Sequence, residues 1–178
     1  MENSPVRFSA LAVKTMVSHT LTYFLMGALA YYSFNYAATM NRPGSGMHPS
    51  TSLWVMLGPM LQPIRGMLFA LVFWPFRESL FGRKNGWLLM SWMLVALGIL
   101  GTFGPASGSI EGLIYTTTPS LLQFRGYLEV VPQVLLLSAL LCYWVNHPEK
   151  KWLNWTLGIL FFTAMTLPAL GLLTRHAT

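Results

Sequence analysis

The chain has 178 residues, of which 54% are hydrophobic and only 9% are charged, and its formal net charge is +6. Soluble domains carry roughly 25% charged residues, so this composition excludes an ordinary soluble domain, which would leave much apolar surface in water. It predicts an all-α integral membrane protein, because helices satisfy their backbone polar groups within lipid. The basic residues are scattered among apolar ones, which argues against a nucleic-acid partner.

Five stretches approach the roughly 20 apolar residues that a spanning helix needs. In chain order they are residues 15–39, 53–75, 86–103, 120–145 and 152–173. We expect a bundle of about five transmembrane helices that forms one polytopic domain over residues 1–178. Most tryptophans fall at the ends of these stretches, where the membrane–water interface favours them, and this supports the predicted boundaries.

Three basic segments would share one side of such a bundle. They are the N-terminus, the connection "PFRESLFGRKNG" and the connection "NHPEKKW". Loops rich in Lys and Arg stay in the cytoplasm. The sequence therefore predicts a bacterial inner-membrane protein whose N-terminus is cytoplasmic.

The first predicted span carries two polar residues at different depths. His19 shares a face with Thr22 and Tyr23 and lies near the predicted cytoplasmic side, where we expect it to serve packing. Asn35 lies at the outer end of the span, where it is better placed to join the charged residues of later spans.

The second predicted span carries Arg65 near its centre, within "PMLQPIRGMLF". An arginine at that depth costs about 2.5 to 3.5 kcal/mol on insertion scales, so we expect it to face the bundle interior or a water-filled cavity and to have a partner. Gln62 is three residues earlier and shares its helix face. Pro63 frees the carbonyl of Pro59, to which Arg65 is placed to donate.

A glycine-rich segment, residues 101–119, separates the third and fourth predicted spans. Its glycines and Pro105 break a regular helix, and "GLIYTTT" is apolar enough to re-enter the bilayer. Irregular backbone at that depth is tolerated only where protein covers it or water reaches it. Glu111 is the single acid of this segment.

The fourth predicted span carries a polar stripe. Arg125, Glu129 and Gln133 recur every four residues, so they share one helix face. Glu129 falls about 14 Å into the span at 1.5 Å per residue, which is the depth expected of Arg65. The sequence predicts an ion pair between Arg65 and Glu129, and with Arg125 and Glu111 a nearly neutral cluster that opens toward the outer face.

Ionisable residues inside a membrane are functional candidates by default. The first hypothesis is a small channel or transporter, or a subunit of one, that handles an ion or a small polar or anionic solute. Such a short chain is expected to form a homo-oligomer or to join a partner membrane protein, with membrane lipid around it. The candidate ligand-binding residues are Asn35, Gln62, Arg65, Glu111, Arg125, Glu129 and Gln133.

Two alternatives stay open. An intramembrane enzyme would use Glu111 or Glu129 as its acid–base residue on a lipid or lipid-linked substrate, with Arg65 and Arg125 binding an anionic head group. An accessory or scaffold subunit would use the same charges only for assembly. No cofactor is indicated, and the four histidines stand too far apart along the chain to predict a metal site.

Overall fold

The computed structural model describes residues 6–43, 47–117 and 120–176, and this part of the chain is helical without a strand. The helices are α1 Phe8–Ser33, α2 Tyr36–Met40, α3 Leu53–Leu57, α4 Gln62–Phe73, α5 Arg77–Leu80, α6 Gly86–Val95, α7 Ile110–Tyr115, α8 Ser120–Asn146 and α9 Lys151–His176. A 3₁₀ turn, Gly58–Leu61, joins α3 to α4, and a π-helical turn, Ala96–Leu100, extends α6. The predicted all-α class is confirmed.

Three stretches of helix are long and apolar enough to cross a membrane: Leu53–Phe73, Gln123–Asn146 and Lys151–Gly171. They match the second, fourth and fifth predicted spans to within a few residues. The third predicted span is instead α6 and its π turn, ten and five residues, or about 22 Å at the α-helical rise. That is shorter than a hydrocarbon core of about 30 Å.

The first predicted span corresponds to α1, which has 26 residues but carries many polar side chains. It falls outside the three apolar candidates among the described residues. A bundle of five transmembrane helices is therefore not confirmed. What the fold supports is a membrane protein with three candidate spans and two further helices that pack with them.

Large apolar side chains on the outer faces of the candidate spans are exposed. Ile64 is 62% exposed, Ile159 63% and Phe162 71%. Surfaces of this kind are unfavourable in water when they are contiguous, but lipid chains cover them without cost. The exposure therefore agrees with the composition in indicating a membrane environment.

The central helix is α1, which packs against α4, α8 and α9, while α6 packs against α8. Gly66 sets the closest approach between α1 and α4, because a Cβ at that position would lie 2.6 Å from the Cα of Met16. Small residues allow membrane helices to pack backbone to backbone. The contact also fixes the register of α4, which places Arg65 beside the N-terminal half of α1.

The three basic segments come together at one end of the molecule, which we call the basic end: the first turns of α1, residues 74–87 and residues 143–151. Lys14 Nζ donates to the carbonyl of Trp144 at 2.7 Å, and the Gly82 N–H donates to Asn146 Oδ1 at 2.8 Å. A core of apolar side chains lies directly beneath. Its members are Leu11, Phe73, Leu80, Phe81, Met90, Leu141 and Cys142.

We predict that Gly66→Ala lowers the free energy of unfolding in detergent by about 1–3 kcal/mol, the usual cost of overpacking a well-packed interior. The methyl group would push α4 away from the Met16 backbone. Gly27→Ala on α1 is the matched control, since its Cβ would meet no atom within 4 Å. Equal stability of the two variants in a denaturant titration would contradict the close α1–α4 contact.

Candidate functional site

The buried face of α1 is polar over most of its first half. Five polar residues of this helix are buried: Thr15, Ser18, His19, Thr20 and Thr22. Gln62 of α4 and Ser138 of α8 are buried on the helices that pack against it. We call these seven residues the polar seam. Polar side chains in membrane helices face the protein interior because acyl chains offer them no hydrogen bonds.

The threonines of the polar seam are satisfied within α1 itself. Thr15 Oγ1 donates to the carbonyl of Leu11 at 2.8 Å, Thr20 Oγ1 to Met16 at 2.8 Å and Thr22 Oγ1 to Ser18 at 2.9 Å. Such bonds to the preceding turn are a common solution for a hydroxyl in a helix. These three residues therefore need no partner from another helix.

Three buried atoms of the polar seam have no hydrogen-bond partner among the described residues: Ser18 Oγ, Ser138 Oγ and His19 Nδ1. An unsatisfied buried polar atom costs about 1–3 kcal/mol, and most buried polar atoms in proteins are paired. Two of the three belong to adjacent residues of α1. The adjacent residues Ser18 and His19 are therefore a candidate functional site.

The protonation of His19 follows from its neighbours. Gln62 Nε2 donates to the carbonyl of Gly58 at 2.9 Å, which fixes the orientation of the amide and turns Oε1 toward His19. This oxygen lies 3.1 Å from His19 Nε2 and can only accept, so Nε2 carries the proton. In the neutral ring Nδ1 then presents an unshared electron pair, buried and without a partner.

The ring of His19 is enclosed by aromatic and charged groups. It packs edge-on against Phe69 with ring centroids 4.9 Å apart, and the ring of Tyr23 lies 6.2 Å away. The guanidinium carbon of Arg65 lies on the same aromatic ring, 5.7 Å from the centroid of Phe69. His19 is only 1% exposed, and burial of this kind agrees with the expected role in packing. Packing does not explain why Nδ1 is left without a hydrogen-bond partner.

Arg65 itself is exposed on the surface of α4, and its guanidinium carbon lies 5.7 Å from the ring centroid of Phe69. The bundle-interior alternative is therefore wrong, and Arg65 forms no ion pair in the described part of the chain. The carbonyl of Pro59, which Pro63 leaves free, accepts from the backbone N–H of Gln62 rather than from Arg65. The polar chain of Gly58, Gln62 and His19 thus forms without the arginine.

The predicted ion pair between Arg65 and Glu129 is also wrong. In the described part of the chain the only ion pair is Arg77–Glu78 at 3.1 Å. The physical reason is that α1 lies between the two helices, packing against both α4 and α8. Register separates them further: Arg65 adjoins the contact with Met16, whereas Glu129 lies near the far end of α1. The two Cα positions therefore differ by roughly 20 Å along the axis.

Arg125 and Glu129 do share one helix face, as the spacing predicts; Arg125 meets the C-terminal end of α1 and Glu129 meets the first residue of α2. Arg125 Nη2 donates to the carbonyl of Phe34 at 2.6 Å, and its guanidinium lies 4.8 Å from the Phe34 ring centroid. That carbonyl follows the last turn of α1, where carbonyls lack helical partners and a cation is favourable. Arg125 therefore caps α1.

Glu129 accepts a hydrogen bond from the hydroxyl of Tyr36, one helical turn along α8 from Arg125. Asn35, between α1 and α2, has a left-handed conformation with φ 49°, which interrupts the helix just before Tyr36. The Asn35 side chain is exposed, so the residue acts here through its backbone. Gln133 continues the same face and is half-buried.

The described part of the glycine-rich segment forms hydrogen bonds with the first turns of α8. Gln123 is 1% exposed; its Nε2 donates to the Gly112 carbonyl at 3.2 Å, and its Oε1 accepts from the Gly108 N–H at 3.3 Å. The hydroxyl of Tyr127 donates to the Gly108 carbonyl. Gly108 has φ +85° and fits this turn because it lacks a Cβ.

Glu111 lies on the first turn of α7, half-buried, and forms no ion pair with either arginine in the described part of the chain. The predicted cluster of four charges therefore does not assemble. Residues 118 and 119 lie outside the described residues, and re-entry of this segment into a bilayer stays a prediction.

Three residues that make main contacts, Tyr36, Gln123 and Tyr127, are not among the residues predicted from the sequence, and neither is the unpartnered Nδ1 of His19. Each carries a polar group within a predicted span, and this is the signal that the sequence offers. Prediction from full charges passes over them because all four side chains are neutral. The importance of these groups becomes visible only from their surroundings in the folded chain.

We predict that Tyr36→Phe lowers the free energy of unfolding by about 1.5 kcal/mol, since a hydrogen bond to a charged group is lost. Tyr32→Phe is the control, because Tyr32 is 83% exposed. In a double-mutant cycle with Glu129→Gln the two losses should be coupled by at least about 0.5 kcal/mol. Additive losses would mean that the two side chains do not interact.

Comparisons with protein-family models, with curated proteins and with solved structures give no match for this chain. The function proposed below therefore rests on the contacts, burial and charges of the described residues.

Proposed function

We propose that this protein is a small membrane transporter or channel, or a subunit of one, that passes protons along the polar seam of α1. The observation that carries the proposal is the buried His19, whose Nδ1 is unpartnered while Nε2 is held by Gln62. A neutral imidazole in this state accepts a proton at Nδ1 and can release one from Nε2. Intramembrane groups of this kind are typical of proton relays.

Groups able to exchange protons continue on both sides of His19. Ser18, the preceding residue of α1, and Ser138 of α8 carry unpartnered hydroxyls. Toward the end opposite the basic end, Tyr23 of α1 and Glu129 of α8 carry ionisable side chains, and Glu129 accepts a hydrogen bond from the hydroxyl of Tyr36. The chemical groups along α1 thus suit a proton moving in steps between side chains and intervening water.

The packing favours a proton over a larger solute. The α1–α4 contact at Gly66 is backbone to backbone, and the cavity of about 970 Å³ at the basic end is lined by residues outside the polar seam. A bulky solute would need these helices to separate, whereas a proton needs only successive hydrogen-bonding groups. We further propose that the basic end faces the cytoplasm of a bacterial inner membrane, following its Lys and Arg content.

The proposal is tested by proton flux into liposomes that contain the purified protein and a pH-sensitive dye. A potassium gradient with valinomycin supplies the driving potential. We expect flux above that of empty liposomes for the wild type and for His48→Asn, since His48 is an exposed loop residue. His19→Asn should reduce the flux to the background of empty liposomes, because asparagine cannot take up and release the proton.

Two results would overturn the proposal. One is wild-type flux equal to that of empty liposomes. The other is full flux by His19→Asn when this variant inserts to the same level as His48→Asn. Ser138→Ala gives a milder check, with partial loss of flux expected from removal of one unpartnered hydroxyl.

A second candidate function is an accessory subunit of a larger membrane assembly, and one observation favours it. Arg65 is exposed within the candidate span Leu53–Phe73, and in the described part of the chain it forms no ion pair. A lipid-facing arginine near the middle of a span costs several kcal/mol. An acidic side chain on a partner helix, or on a second copy, would remove that cost.

The assembly candidate predicts that Arg65→Leu releases the partner. Native mass spectrometry of the protein purified in mild detergent should show a complex for the wild type and the single chain for Arg65→Leu. Arg42→Leu is the control, because Arg42 is exposed between α2 and α3. The same mass for the wild type and Arg65→Leu would argue against an assembly held by this residue.

A further inference from the structure

An open cavity of about 970 Å³ lies at the basic end, between the α5–α6 connection and the last turns of α8. It is separate from the polar seam. Its inner wall is largely apolar and includes Trp87, Ala139 and Cys142, whereas its mouth carries Arg83 and Lys84. The cavity is therefore amphipathic, apolar toward the helices and charged toward the loops.

Several hydrogen-bond donors at the mouth remain available to a ligand. Arg83 uses only Nε internally, donating to the carbonyl of Glu78 at 3.2 Å, and its two terminal nitrogens form no bond within the described residues. Lys84 is exposed and likewise forms none there. Asn146 accepts from the Gly82 N–H through Oδ1, which leaves its amide N–H groups to donate.

The charge at the mouth is positive on balance. Three basic side chains, Arg77, Arg83 and Lys84, line the cavity together with two acids, Glu78 and Glu149. Glu78 is already paired with Arg77 at 3.1 Å. This leaves an arginine and a lysine against one acid, so a small anion would be held by charge as well as by hydrogen bonds.

The depth of the cavity follows from the ends of the candidate spans. Two of these spans end at Phe73 and Asn146, and the third begins at Lys151; the cavity lining runs from residue 77 to 87 and from residue 139 to 149. In a bilayer crossed by these three stretches, we expect the cavity to lie near the level of the lipid phosphate groups. Ala139 is seven residues from the end of its span, so the inner wall reaches about 10 Å into the hydrocarbon.

We propose that this cavity binds a phosphate group through Arg83, Lys84 and the side-chain amide of Asn146. An arginine fork beside a lysine and an amide suits phosphate oxygens, because charge-assisted bonds to them are strong and directional. The group belongs either to an anionic phospholipid of the adjoining leaflet, whose chains would lie along the apolar wall, or to a soluble phosphate compound.

The test uses the full-length protein, delipidated in detergent, and the double variant Arg83→Gln/Lys84→Gln. The matched control is Arg42→Gln/Lys151→Gln, which removes the same charge from exposed residues outside the cavity lining. Native mass spectrometry follows adducts of phosphatidylglycerol, with phosphatidylcholine as the zwitterionic reference. A parallel titration with inorganic phosphate follows the melting temperature.

For a lipid ligand we expect phosphatidylglycerol adducts on the wild type and on the control, and roughly 30-fold weaker binding by the double variant, from about fivefold per cation near a charged surface. For a soluble ligand, inorganic phosphate should raise the melting temperature of the wild type and control only. Either result supports the phosphate site and identifies its source. If the double variant, with an unchanged melting temperature in buffer, matches the wild type in both titrations, the proposal is overturned.

Discussion

The structure depends on one constraint: the polar face of α1 must be kept away from lipid. Thr15, Ser18 and His19 are almost completely buried, in a molecule whose outer surface is largely apolar. Against acyl chains His19 would lose its hydrogen bond to Gln62, and the Ser18 hydroxyl would have no access to water, at a cost of several kcal/mol. Three other helices, α4, α8 and α9, therefore pack around α1. This arrangement places α1 at the centre of the molecule.

The central position of α1 decides which charges can meet. Arg65 lies on α4 and Glu129 lies on α8. Both of these helices pack against α1, which keeps the two side chains apart. Arg125 instead meets the end of α1, where a free carbonyl favours a cation, and Glu129 accepts from Tyr36 at the start of α2. The two charged side chains thus connect α8 to the end of α1 and the start of α2. Buried charges often have such a structural role and contribute more to specificity than to stability.

The functional proposal accordingly moves from the charged residues to the neutral ones. His19 is held by Gln62 on one side and has a free nitrogen on the other, whereas Arg125 and Glu129 each have a partner. A group with one fixed and one unused hydrogen-bonding position can bind and pass on a proton, and a fully satisfied group cannot do so as readily. The cation-rich cavity at the basic end is a second and separate region, suited to an anion at the membrane surface.

From the sequence alone, the membrane class, the all-helical fold, the boundaries of α8 and α9 and the shared face of Arg125 and Glu129 could be predicted. These features depend on hydropathy and on helical periodicity, which are local properties of the chain. The tertiary structure alone decided that α6 is short, that α1 separates Arg65 from Glu129, and that His19 Nδ1 is buried without a partner. Partners across helices depend on packing order and register, and neither is set by the spacing of residues within one helix.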